Sequence, residues 1–236
     1  MKHQLIYRWF LALAPLLFIN GCGASQSAVN PVRQSAAPAA TAGRASPQQL
    51  PPVPSPSTGS PFLDAFVTAA VDRINHQVRY DATYFKLSYP GGDVPAEVGV
   101  CTDEVIRSYR KVGVDLQRDV HEDMKQNFGL YPRQWGLTKP DTNIDHRRVP
   151  NLMVFFGRQG EELPITDSAK DYAPGDIVTW DLSGGQTHIG IVVNVPSTAD
   201  SSRYLIMHNI GAGPQIEDVL FGWKITGHYR YLGRQK

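Results

Sequence analysis

The chain has 236 residues, 42% of them hydrophobic, and its 23 basic and 22 acidic side chains leave a formal net charge of +1. That balance gives no basic excess for a nucleic-acid surface, and no apolar run is long enough to span a bilayer comfortably. The two cysteines, Cys22 and Cys101, supply neither a disulfide framework nor a cysteine zinc site.

Met1 to Cys22 reads as a secretory leader, with Lys2 and Arg8 as a positive start and Trp9 to Ile19 as an apolar core. Its end, Ile19-Asn20-Gly21-Cys22, resembles a bacterial lipoprotein signal. The resemblance implies that Cys22 is acylated and anchors the chain to a membrane; Gly23 after it implies the outer membrane in a host that has two. Gly23 to Gly59 is almost wholly Ala, Ser, Pro, Gln, Thr and Gly, with Arg33 and Arg44 its only charges. Such a segment cannot bury a core and reads as a disordered tether spanning roughly 30 Å. With Cys22 lipidated, Cys101 has no partner within the chain. A lone thiol in an exported protein is either buried or used.

Residues 60 to 236 suit one domain with a single core. Pro61 to Val78 is an amphipathic helix candidate, with Phe62, Phe66, Ala69 or Ala70, and Arg73 or Ile74 at helical spacing. Tyr89-Pro90-Gly91-Gly92-Asp93 is a turn that leads to Val98–Gly113, the stretch around which the rest is organised. There Cys101 opens a helix whose apolar side continues through Val105, Tyr109 and Val112. Thr102, Asp103 and Glu104 suit its first turn and Gly113 its stop. A thiol at a helix N-terminus is expected to have a lowered pKa; the alternative is a small core residue beside Val105. Asp115 to Asn127 is a further helix, with Val120, Met124 and Phe128 as its apolar side.

Tyr131 to Pro150 is polar and irregular, and ends in Asn143-Ile144-Asp145-His146-Arg147-Arg148-Val149-Pro150. His146, Arg147 and Arg148 either grip a carboxylate or brace the loop. Asn151 to Phe156 reads as a short apolar strand. Ala173–Asp176 is a turn, and Ile177–Leu182, Thr187–Val195, Arg203–Asn209 and Gly227–Leu232 are strands of an antiparallel sheet. Pro196–Ser202 makes the middle pair a hairpin, and Ile210–Gly213 turns again.

The midpoint of His188 and His208 is residue 198, inside that hairpin turn. In a simple hairpin the two histidines lie opposite each other on one face. Gly190 shares the face and leaves room for the start of the Cys101 helix to approach. Cys101 then reads as nucleophile, His188 as general base and His208 as its orienter, with Asn209 and Asp181 in reserve. Backbone N–H groups at the helix start would stabilise an oxyanion. His121, Glu122, Asp123, Asp145 and His146 form a weaker candidate for a metal site, without the spacing of a known motif.

The order of Cys101, Pro174-Gly175-Asp176-Ile177-Val178, Thr187-His188-Ile189-Gly190-Ile191-Val192 and Leu205-Ile206-Met207-His208 resembles the NlpC/P60 cysteine peptidases, papain-like enzymes that cut peptidoglycan stem peptides. It departs from them at Val100-Cys101-Thr102-Asp103, where that group has Asp-Cys-Ser-Gly. A closer likeness is to the bacterial family called domain of unknown function 1287. It rests on Tyr89–Asp93, Gly99–Asp103, Asn143–Leu152, His208–Gly211 and Gly227–Arg230. Together these resemblances imply an α+β, papain-like domain with N-terminal helices packed on a C-terminal antiparallel sheet. They also imply a cell-envelope cysteine amidase or endopeptidase using Cys101, His188 and His208 on peptidoglycan peptides, without a cofactor. Tyr80, Tyr84, His146, Arg147 and Arg148 are candidates to line the cleft or hold a substrate carboxylate. The alternative is a non-catalytic envelope lipoprotein that binds wall peptide or a partner protein.

Overall fold

The computed structural model describes residues 57–234; the leader, Cys22 and most of the tether lie outside them. Among the described residues no helix is long and apolar enough to cross a membrane.

Helix α1 (Pro61–Asp72) starts where the Ser60 hydroxyl accepts the Leu63 N–H at 3.4 Å, and it buries Leu63, Phe66, Val67 and Ala70. It stops short of the expected Val78. A 3₁₀ turn at Arg73–Asn75 follows, and the Asp72 carboxylate takes Asn75 Nδ2 at 3.1 Å and the His76 ring at 3.2 Å. Short polar side chains here offer the chain local bonds that compete with the helix. Strand β1 (Arg79–Tyr80) pairs in parallel with β2 (Val98–Gly99), which leads directly into α2 (Cys101–Lys111). Helix α3 (Leu116–Asn127) falls within the expected Asp115–Asn127 and is capped by Asp115, whose side chain accepts the Arg118 N–H.

The segment Asn151–Phe156 is not a strand. It belongs to helix α4 (Val149–Gln159), which buries Val149, Leu152, Phe155 and Phe156 at spacings of three and four. A short apolar run has the same look in a buried helix and a buried strand, and Pro150 in the first turn is compatible with the helix.

The remaining strands are β3 (Glu161–Glu162), β4 (Ile177–Asp181), β5 (Thr187–Pro196), β6 (Tyr204–Asn209), β7 (Pro214–Glu217) and β8 (Lys224–Arg230). They form one sheet in the order β3-β8-β4-β5-β6-β7, antiparallel throughout. Strand β8 starts before the expected Gly227 and ends before Leu232, and β7 had no expectation at all. The fold is therefore α+β, with helices on an antiparallel sheet.

The sheet has two covered faces. Ile177, Ile189, Ile191, Val193, Met207 and Ile216 join Phe66, Cys101, Val105, Tyr109 and Phe155 in the main core beneath the helices. Side chains of alternate residues point the other way. Val178, Trp180, Val192 and Ile206 pack there against Tyr172 and Leu220. The Pro-Gly-Asp turn secures one corner: buried Asp176 pairs with His228 Nε2 at 3.0 Å and accepts from Arg230 Nε at 2.8 Å.

Candidate active site

Cys101 is the first residue of α2 and is buried. Three backbone N–H groups, of Ile189, Thr102 and Cys101 itself, point toward its sulfur and favour a thiolate. Burial outweighs them. With the Asp103 charge adding to it, burial pushes the thiol up to about 12, so it stays protonated at neutral pH. This corrects the lowering expected from the helix N-terminus alone: the field of the first turn is real, but the sulfur has left water to reach it. The Tyr80 hydroxyl lies against the sulfur and is itself raised to about 12, chiefly by burial.

The start of α2 is held by an ion pair. Asp103 accepts the Val100 N–H at 2.7 Å, and Arg147 grips the same carboxylate with Nε at 2.8 Å and Nη2 at 2.9 Å. Arg147 also donates to the Thr83 carbonyl at 3.0 Å, and its own carbonyl accepts from the Thr102 hydroxyl at 3.0 Å. These bonds tie the Asn143–Leu152 block to the cysteine helix. Arg147 is a brace and has no free fork for a substrate carboxylate. His146 is buried and held neutral, pushed down to about 3 by burial and by neighbouring Arg147 and Arg110. It cannot grip an anion as a cation. Arg148 lies 4.0 Å over the Trp135 ring and 3.5 Å from Asp145 Oδ1. The Tyr84 hydroxyl donates to Asp141 Oδ2 at 3.0 Å and accepts from Asn143 at 2.8 Å. It fastens the same block from outside, and it is Tyr80 that meets the thiol.

His188 and His208 do come together, by a different register from the simple hairpin. Strand β5 pairs with β6 through Ile191–Met207 and Val192–Ile206, and the register shifts before Pro196–Tyr204. His208 therefore lies across from Gly190, and His188 sits diagonally beside it. A slip of two residues keeps both rings on one face; a slip of one would have separated them. The space over Gly190 is filled by β6, not by the start of α2. A Cβ there would stand 2.6 Å from Ile206 Cγ2, 3.0 Å from the Met207 carbonyl and 3.2 Å from His208 Cβ.

The two rings are the start of a relay that ends on a residue the sequence reading missed. His188 Nε2 pairs with His208 Nδ1 at 2.8 Å, and His208 Nε2 pairs with Glu217 Oε2 at 2.9 Å. Burial lowers both imidazole pKa values, His188 to about 3, while Glu217 pulls His208 the other way. With both rings neutral, the carboxylate sets every tautomer in the chain. Glu217 only accepts, so His208 carries its proton on Nε2 and presents a lone pair at Nδ1. His188 then donates from Nε2, and its own lone pair is left on Nδ1, free to act as a base. Glu217 stands across from Ile206 on β7, two residues beyond Gln215, which faces His208. The turn at Ile210–Gly213 was the available signal: continuing the strand beyond it puts Gln215 and Glu217 on the imidazole face.

The relay occupies the sheet face turned away from the helices, where His188 is 5.9 Å from both the Trp180 and Trp223 rings. Cys101 belongs to the helix-side core, and the Ile189 peptide lies between the two. No hydrogen bond joins the thiol to an imidazole here. Neither reserve orienter bonds an imidazole either. Asp181 accepts the Ser183 N–H at 3.0 Å; buried Asn209 accepts the Gly211 N–H at 3.1 Å and leaves Nδ2 unpaired. Among the described residues no three His, Cys, Asp or Glu side chains gather as a metal site would require. Asp123, from the weaker metal candidate, is instead bound by Tyr131, Arg158 and Gln159.

Comparison with known proteins agrees with the closer of the two resemblances. The chain is 52% identical over 168 residues to "Uncharacterized protein YijF" of Escherichia coli (strain K12), an alignment covering 71% of this chain and 81% of the relative. The family described as "Domain of unknown function (DUF1287)" matches residues 67–231, which contain Cys101, His188, His208 and Glu217. With that span covering most of the folded domain, the chain belongs to the DUF1287 family.

Proposed function

We propose that this protein is a cell-envelope cysteine hydrolase that cleaves an amide bond, with peptidoglycan peptide as its substrate. The observation that carries the reading is the relay: Glu217 and His208 leave a lone pair on His188 Nδ1, one residue from the peptide N–H that points at the Cys101 sulfur. In the reaction the substrate-bound site brings His188 Nδ1 past the Ile189 peptide to the sulfur, and the imidazole takes the thiol proton as the sulfur attacks the substrate carbonyl. The imidazolium then returns the proton to the leaving amine, and water releases the acyl group from sulfur. Backbone N–H groups of Cys101 and Thr102, which point at the sulfur in the resting thiol, would turn to the developing oxyanion. His208 and Glu217 are positioning residues for His188. A papain-like arrangement of the fold, acylation of Cys22 and delivery to the outer membrane are parts of the same reading, supported by the sequence resemblances.

A buried, protonated thiol without an imidazole bond favours a second reading, in which the domain binds envelope peptide without cleaving it. One experiment separates the two. Purified peptidoglycan is digested with the wild-type chain and with Cys101→Ala, His188→Ala and Glu217→Gln, and new amino termini are counted. The hydrolase reading expects release by the wild type, none from the first two variants and a reduced rate from the third. Release that survives Cys101→Ala, or no release with retained pull-down of peptidoglycan by all four, overturns it.

A further inference from the structure

A cavity of about 450 Å³ opens beside the C-terminal half of α2, walled by Arg73, His76, Asp93, Arg107, Arg110 and Lys111. Lys111 is ten residues along the helix from Cys101, about 15 Å at the helical rise, so the cavity is separate from the thiol. Its cations are not fully matched. Asp93 Oδ2 is shared by Arg107 Nε at 3.2 Å and Arg110 Nη1 at 2.7 Å. Buried Glu104 takes Arg73 Nε at 2.6 Å and stands 3.7 Å from Arg107 Nη1. Asp72, next to Arg73 in the chain, pairs with His76 and lies within the field of Lys111. Counted together, Arg73, Arg107, Arg110 and Lys111 exceed the carboxylates of Asp72, Asp93 and Glu104 by one.

Donors are left over as well as charge. Arg107 is buried, and its Nη1 stands 3.7 Å from the equally unbonded Glu104 Oε1, inside the wall of the cavity, so the donors open to a ligand are those of its neighbours. Arg73 uses only Nε on Glu104, and exposed Lys111 forms no ion pair among the described residues.

We propose that this cavity binds a phosphate-bearing anion. A carboxylate offers two oxygens in one plane and would satisfy a single guanidinium fork. Several cations set around a cavity suit a tetrahedral group with three acceptor oxygens. The space beside these cations, about 450 Å³ and open to solvent, leaves room for an organic substituent on the phosphate. The phosphate belongs to a soluble monoester or to the diester headgroup of a lipid, and the test tells these apart.

The full chain is titrated calorimetrically at physiological ionic strength with glycerol 3-phosphate, a monoester, and with glycerophosphoglycerol, a headgroup diester. Saturable one-site binding of the monoester alone assigns a soluble phosphate ester; binding of the diester assigns a headgroup. Lys111→Glu, at an exposed position, is expected to weaken the ligand at least about tenfold, and Lys111→Gln to weaken it less. Lys224→Glu, exposed on β8, is the charge control and leaves affinity unchanged. No saturable binding of either ligand overturns the proposal, as does equal weakening by Lys111→Glu and Lys224→Glu.

Discussion

Arg147→Met separates a structural brace from a substrate contact. The Asp103 side chain is 2% exposed and that of Arg147 1%. Removing the guanidinium leaves a buried carboxylate with the Val100 N–H as its remaining bonded donor, and it orphans the Thr83 carbonyl. Breaking a buried pair from one side costs about 3–5 kcal/mol, a large part of the roughly 5–15 kcal/mol that holds a domain together. The double variant Arg147→Met/Asp103→Asn removes both charges yet keeps an acceptor for the Val100 N–H. It should recover at least about half of that loss, since the unpaired charge carries most of the cost. Urea unfolding followed by tryptophan fluorescence gives the three stabilities, with equal m-values as the check on two-state behaviour. A loss below about 1 kcal/mol for Arg147→Met, the scale of an exposed ion pair, would refute the reasoning. So would a double variant no more stable than the single one.

Further expectations concern the thiol, the hairpin and acid. Iodoacetamide should alkylate Cys101 slowly in the wild type at pH 7, because burial holds the thiol up to about 12; Tyr80→Ala, which uncovers the sulfur, should speed it, and an unchanged rate would place the barrier elsewhere. Gly190→Ala drives a methyl into Ile206 and the Met207 carbonyl; thermal unfolding should show a loss of about 1–3 kcal/mol, and a neutral result would mean that β6 yields freely. Glu217→Gln should lower the His208 pKa further by removing the charge that raises it, as read from imidazole shifts in an NMR titration. The pH dependence of stability follows from buried groups, chiefly three histidines opposed by two carboxyls. His146 and His188 are held near 3 from an ordinary 6.5, so their stabilising effect is full above about 6.5 and is lost as pH falls. Asp145 is raised to about 6 by burial, so its penalty is relieved over part of the same range. His208, also lowered by burial, adds to the loss, and Glu104, raised by burial, opposes it; the balance is a fall in stability between roughly pH 6 and 4. Urea midpoints at those pH values test it, and a flat profile would contradict the burial of the histidines.

Local order in the chain determined a good deal. The Cys101 helix, the helix after Asp115, the Pro-Gly-Asp turn and the strands around His188 and His208 are each set by neighbours within a few residues, and each stands where its sequence indicates. The two imidazoles share a face because strand side chains alternate, and an even slip in register cannot undo that. What the sequence could not decide were quantities that depend on distant partners. Whether Asn151–Phe156 was strand or helix turned on which apolar surface would cover it. Whether Arg147 gripped a substrate or a helix turned on Asp103, 44 residues away in the chain. Glu217 joined the relay only when β7 closed beside β6. The thiol's pKa went up rather than down for the same reason. A helix N-terminus is a local feature that sequence reveals, but desolvation is the sum of everything packed around the sulfur, and only the tertiary structure supplies it.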